Sequence, residues 1–250
     1  MRGKSHLIIG TLSSLEIYLL LSPKIQLNTS TAICLGSAIF FSTFPDIDEA
    51  NSNVLNKIVN KAKVKNLHKI ITYILLILIF YLYSKTDNSL YIGIGFSIFI
   101  VGIINKKFTA NFLRSFLMFI FLFILSISIY LISKNLPISL LVLVFSLLPL
   151  FSHRTLSHSL FIVILLFLAL KYVEITFSIY GLSIMATSAY ISHLICDSMT
   201  KMGIPLFFPI SKKNYNISKL RVGTFLCNSV ENIIIFILIL IVLLTLSFLI

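Results

Sequence analysis

The sequence predicts an all-α, polytopic membrane protein of about nine transmembrane or re-entrant helices with a cytoplasmic N-terminus. Three observations carry that prediction. Hydrophobic residues make up 58% of the 250-residue chain and charged residues only 11%, with a mean hydropathy of +1.04. Soluble domains carry about 25% charged residues, so a water-facing globule is excluded. Apolar runs then recur from one end to the other, and basic residues gather in alternate connections between them. The longest stretches without such a run, 46–69 and 197–232, are too short to bury a core of their own. A single integral-membrane unit over 1–250 is therefore expected.

The runs follow in order. Met1-Arg-Gly-Lys-Ser-His6 leads into an apolar run at 7–21 that mimics a signal peptide. It lacks a small-x-small cleavage site and Glu16 interrupts it, so a retained first helix is expected. The second run, 31–44, ends at Pro45, and several runs are short of the roughly 20 residues needed to cross a bilayer. The first two are the best candidates for a short hairpin that enters and leaves on one side. Between Asn56 and Lys69, lysines alternate with Ile, Val, Ala and Leu at helical spacing, the pattern of an interfacial helix touching anionic headgroups. Further runs lie at 70–83, 90–104, 112–132, 138–151, 159–173, 175–195 and 233–250.

Positive charge fixes the sidedness. One side collects Arg2 and Lys4, the five lysines from Lys57 to Lys69, then Lys106, Lys107 and Arg114, Arg154, and the group from Lys201 to Arg221. The other side holds only Lys24, Lys85, Lys134 and Lys171. Basic residues near helix ends mark the cytoplasm, so the N-terminus reads as inside and the C-terminus as outside. The net charge of +12 is thereby assigned to topology and to membrane lipids as partners, not to nucleic acid. Cys34, Cys196 and Cys227 are odd in number and scattered, which implies no disulfide framework.

Histidines and acids are scarce, so their positions are informative. His6, Asp46, Asp48, His153, His158, His193, Asp197 and Glu231 all fall on the side that the basic residues mark as cytoplasmic. His193 and Asp197 are i and i+4, on one helical face, where both can reach one ion. Asp46 and Asp48 lie in Pro-Asp-Ile-Asp, where a turning backbone can aim both carboxylates together. His153 and His158 are about 140° apart on an ideal helix. His153 is therefore expected in a loop and His158 in the first turn of the following helix. Taken singly, each feature has a plain structural reading as a cap, a solvated imidazole or a local charge pair. Taken together, they are costly to bury at a membrane edge unless paired or metallated. Seven potential ligands exceed one tetrahedral zinc, which favours a dinuclear site. His68 sits beside Lys65 and Lys69 and reads as interfacial, while Glu16 and Glu174 fall away from the cluster.

The motifs Lys4-Ser-His6, Phe44-Pro-Asp-Ile-Asp48 with Ser52, His153-Arg-Thr-Leu-Ser-His-Ser159, and Ser192-His-Leu-Ile-Cys-Asp197 with Gly203 and Pro209 resemble the YdjM-like family. Its members are described as bacterial inner-membrane, metal-dependent hydrolases, some of them LexA-regulated. Arg221-Val-Gly223 and Glu231 resemble that family's C-terminal elements. The motifs occupy roughly 4–52 and 149–232, and residues 53–148 look like a helical insertion between them. The resemblance implies a reaction class and leaves the substrate open.

The expectation is hydrolysis by metal-activated water at the cytoplasmic face, with Zn2+ or Mn2+ and one or two ions. The expected ligands are His6, Asp46, Asp48, His158, His193 and Asp197. His153 is a seventh ligand or the general acid, and Glu231 a general base or a supporting partner. Arg154 and, more weakly, Arg221 are expected to hold a phosphate oxygen of an amphiphilic or lipid-linked substrate. A non-catalytic scaffold with a structural metal ranks second and a metal-ion transporter third. Structural zinc sets are closed and often rich in cysteine, and transporter sites lie near the bilayer midplane. The topology yields a direct test: a reporter that is active only outside the cytoplasm, fused after Ile250, is expected to be active, and the same reporter fused before Met1 silent.

Overall fold

A computed structural model describes residues 2–21, 28–48, 61–86, 88, 90–104, 106–151 and 154–249, without the side chains of 47, 48, 61–63, 65, 68, 99–104, 106–111, 114 and 249. Nine α-helices lie among these residues: α1 (Gly3–Leu21), α2 (Thr29–Phe41), α3 (Lys61–Thr86), α4 (Leu90–Ile104), α5 (Lys106–Ser133), α6 (Leu136–Leu147), α7 (Leu160–Phe177), α8 (Leu182–Ser198) and α9 (Phe225–Leu249). The apolar runs fall within these helices, except that 31–44 and 138–151 continue into 3-10 turns and 175–195 spans the end of α7 and most of α8. Among the described residues four windows, Lys69–Thr86, Ser115–Ser133, Leu160–Phe177 and Phe225–Phe248, are long and apolar enough to cross a membrane. No β-strand occurs among the described residues, where only two isolated bridges join Thr200 to Leu220 and Ile204 to Tyr215.

α8 is the centre of the bundle. Thirteen of its 17 residues are buried, and it packs against α1, α2 and α7. Its inward faces carry Ser183, Ala186, Thr187, Ala189 and Ser192. Without a hydrophobic drive between helices in lipid, such small residues gain van der Waals contact by letting backbones approach. Gly10 does the same on α1, where a Cβ would collide with the Ser42 side chain and lie 3.2 Å from the Ser192 hydroxyl. Tyr190, Met185, Ile162 and Leu166 fill the adjoining core with Phe41 and Phe44. On α3, Ile77 and Phe80 remain exposed, as does Phe248 on α9. Apolar exposure of that extent suits a surface that meets lipid rather than water.

Three acids join helices. Glu174 on α7 accepts from the Ser183 backbone N–H at 2.9 Å and its hydroxyl at 2.6 Å, satisfying donors in the first turn of α8, and it also pairs with Lys171. Between the two helices the chain turns through Ser178 at φ 53° and Gly181 at φ 89°. This reversal at 178–181 is a few residues later than the junction of the 159–173 and 175–195 runs suggests, because apolarity does not mark where left-handed residues and a capping carboxylate end a helix. Glu16, the intramembrane acid of the first run, accepts a 2.6 Å hydrogen bond from the Thr245 hydroxyl and so links α1 to α9. Glu231 makes a second link between the same two helices. It lies in the second turn of α9, which starts at Phe225, several residues ahead of the apolar run at 233–250.

The 3-10 turns Phe44–Asp48 and Leu156–His158, the start of α1 and the end of α8 meet at one end of the bundle. Enlarging Gly10 should separate them. Gly10→Val is expected to cost about 1–3 kcal/mol by overpacking, whereas Gly36→Ala, where a Cβ meets nothing within 4 Å, should be neutral or better. Thermal unfolding of both variants in detergent measures the difference.

Candidate metal centre

His193 and Asp197 project from successive turns near the C-terminal end of α8, as their spacing predicts. Asp46 comes from the 3-10 turn after α2, anchored by its own N–H donating to the Thr43 carbonyl at 3.3 Å. His158 ends the 3-10 turn before α7 rather than standing in that helix's first turn, because Ser159 caps α7 through its hydroxyl and the Ile162 N–H. The Tyr190 hydroxyl on α8 donates to the Ser157 carbonyl and fixes that turn against the central helix. Asp46, His158, His193 and Asp197 thereby each offer a ligand atom, all within 4.8 Å of one another.

The contacts converge on Asp197, which is 1% exposed. His158 Nε2 lies 3.2 Å and His193 Nε2 3.9 Å from its Oδ2, and His6 Nε2 is 3.4 Å from its Oδ1. Asp46 Oδ1 stands 3.6 Å from His193 Nε2 and 3.8 Å from His158 Nε2. His6 stacks on His193 with ring centroids 4.0 Å apart.

The tautomer of His193 follows from its other nitrogen. Nδ1 is 2.8 Å from the Ser42 carbonyl oxygen, which can only accept, so Nδ1 carries the hydrogen. In the neutral ring Nε2 is then a bare lone pair, buried and without a hydrogen-bond partner, facing carboxylate oxygens. Lone pairs so arranged repel unless a cation, a proton or a metal ion, lies among them. Asp197 adds to the demand, because a carboxylate at a helix C-terminus opposes the helix dipole. At Asp46 burial alone would raise the carboxyl pKa, and a proton shared with the facing His193 ring, with the charge of His158 beside it, more than offsets that, leaving the group below its ordinary value. Two imidazoles and two carboxylates, with one ring held by a backbone carbonyl, are a donor set that fits a divalent ion.

The other expected residues divide. His6 borders the four through Asp197. Arg154 pairs with Asp197, its Nη2 3.1 Å from Oδ2, from a left-handed backbone at φ 60°. Arg221 is not among the four and lines a cavity beside Arg154. His153 and the Asp48 side chain lie outside the described residues, so the second ion they would help to hold has no geometry here. Glu231 is buried apart from the four: it accepts from the Arg2 side chain at 2.9 Å, from the Arg2 N–H at 3.3 Å and from the Ser5 hydroxyl. These contacts favour the supporting role over the general base, since they hold the turn that carries His6. Sequence reasoning missed Ser42, whose contribution is a backbone carbonyl and leaves no residue-type signal. It also missed Ser5, which only the approach of α9 makes meaningful.

Two cavities open beside this cluster. One, of about 580 Å³, is lined by Phe151, Arg154, Phe208, Lys212 and Asn214 among others. The second, of about 460 Å³, is lined by Arg154, Thr200, Lys201 and Arg221 with apolar neighbours. Thr200 donates through its hydroxyl to the Asp197 carbonyl at 2.8 Å, so the second cavity begins where α8 ends.

The family model described as YdjM inner membrane protein matches residues 1–250, and the chain belongs to that family. No curated protein and no solved structure matches the chain.

The Glu231 contacts predict a specific defect. Glu231→Ala leaves Ser5 and Arg2 without their acceptor and is expected to lower stability by about 1–3 kcal/mol. It should also reduce metal retention through His6, which thermal unfolding and elemental analysis of the same sample would measure together.

Proposed function

With membership of that family as the premise, we propose that the chain is a metal-dependent hydrolase of the inner membrane. It acts at the cytoplasmic interface on an amphiphilic, lipid-linked substrate, a phosphoester. The observation that carries the reading is the bare, buried Nε2 of His193 among Asp46, His158 and Asp197. These four residues would hold the ion, Zn2+ or Mn2+, and His6 borders it. A second ion would draw on His6, Asp48 and His153. A divalent ion supplies Lewis acidity and lowers the pKa of water towards about 7.

The protein's own groups supply the rest. Ser42 fixes the His193 tautomer, and Glu231 holds the start of α1 so that the His6 ring stays at Asp197. Arg154 reaches the cluster through Asp197 and also lines both cavities, so its guanidinium can bridge a substrate oxygen to the site. Lys201 and Arg221 add positive charge in the second cavity, where an anion would otherwise meet the dipole end of α8. The four-residue set contains no cysteine, which argues against a closed structural zinc site and for the hydrolase over the scaffold.

Elemental mass spectrometry of detergent-purified protein tests the premise. Wild type is expected to carry at least one divalent ion per chain, and Asp46→Ala and His193→Ala to lose it. Wild-type protein that stays metal-free after addition of Zn2+ or Mn2+ would sink the hydrolase. Where metal is bound, release of phosphate from lipid phosphoesters should be abolished in both variants.

A further inference from the structure

The two cavities share one charged residue, Arg154, and each brings its own lysine. Lys212 lines the larger cavity, and Lys201 with Arg221 lines the other. Among the described residues no acid lines either one. Cations collected around one point would suit a single phosphate. Here they form two groups with the guanidinium between them, and its planar fork carries five N–H donors, enough to serve oxygens on both sides.

The walls also differ. The larger cavity has an apolar side with two aromatic rings, Phe151 and Phe208, beside Leu150 and Pro205. The smaller one sets Met202, Leu220 and Val222 beside Thr200, Lys201 and Arg221, and begins next to Asp197. A ligand that satisfies both needs two linked anionic groups and an apolar chain, and the larger, aromatic-walled cavity has the more room for that chain.

We propose that this site binds a diphosphate group that carries an apolar chain, straddling Arg154. The chain-bearing phosphate lies with Lys212 and the terminal phosphate with Lys201 and Arg221, on the side of Asp197. The inference rests on the hydrolase reading for the fate of this ligand, but recognition itself depends only on these cations and the apolar wall. The diphosphate could be lipid-linked or free, and the apolar wall favours the lipid-linked source.

Calorimetric titration of the full-length, detergent-purified protein with inorganic pyrophosphate, orthophosphate and geranyl diphosphate tests it. Pyrophosphate is expected to bind at least about tenfold more tightly than orthophosphate. Lys201→Gln and Lys212→Gln should each weaken pyrophosphate about tenfold, the loss of one charge-assisted hydrogen bond, while orthophosphate responds to only one of them. Equal affinity for the two anions, or dependence of pyrophosphate on one lysine alone, would overturn the proposal. Geranyl diphosphate binding more tightly than pyrophosphate assigns the lipid-linked source, and equal binding overturns that half of the proposal. Neither lysine is among the metal-site residues, so an unchanged metal content in both variants separates this result from chelation. Pyrophosphate binding by a protein that takes up no metal would remove the hydrolase reading and leave the diphosphate site standing.

Discussion

A carboxylate buried at the wrong end of a helix organises this site. Asp197 is 1% exposed and sits at the C-terminal end of α8, where both burial and the helix dipole oppose its charge. The remedy is drawn from the start of α1 and the 154–158 segment, with Arg154 as a fixed positive charge and His6 and His158 beside it, while the bare Nε2 of His193 leaves room for a cation. The ring of His158 is held by the Ser157 hydroxyl beside it, and that of His193 by the Ser42 carbonyl at the end of α2. The site and the end of the bundle are thus one construction.

The remaining buried acids follow the same logic away from the site. Glu174 closes the joint between α7 and α8, Glu231 the joint between α9 and the first turn of α1, and Glu16 a deeper contact between those two helices. In lipid, where apolar side chains gain little by leaving one apolar surface for another, hydrogen bonds and close-packed small residues must fix helix pairs. α8 uses both means, with alanines and serines along its faces and polar ends at Ser183 and Asp197.

Chemistry and membrane position reinforce each other. The centre is buried from the bundle side, while Arg154 opens it towards two basic cavities at the same end. Ligand atoms that need a cation and pockets that need an anion lie side by side, so a metal and an anionic substrate would compensate one another's charge. That complementarity is what favours the proposed hydrolase over a structural metal site, which would spend its charge on its own ligands.

Much of this was determined by the sequence alone. Apolar runs located nine helices because exposure to lipid leaves no freedom in composition, and the i, i+4 spacing of His193 and Asp197 set them on one face because helix geometry is local. The placement of Asp46 in a turn after one apolar run and of His158 at the start of another made them candidates before any packing was known. Three things were decided only by tertiary structure. Glu231 lies with Arg2 and Ser5 rather than among the four clustered ligand atoms, because the crossing of α1 and α9 determines which buried donors a carboxylate meets. His158 fell just before its helix, because the cap at Ser159 outweighs periodicity. His193 acquired its tautomer from the Ser42 carbonyl, a group common to every residue and therefore silent in the sequence. Local periodicity is written in residue types, but which distant backbone atom completes a buried hydrogen bond is fixed only when the helices pack.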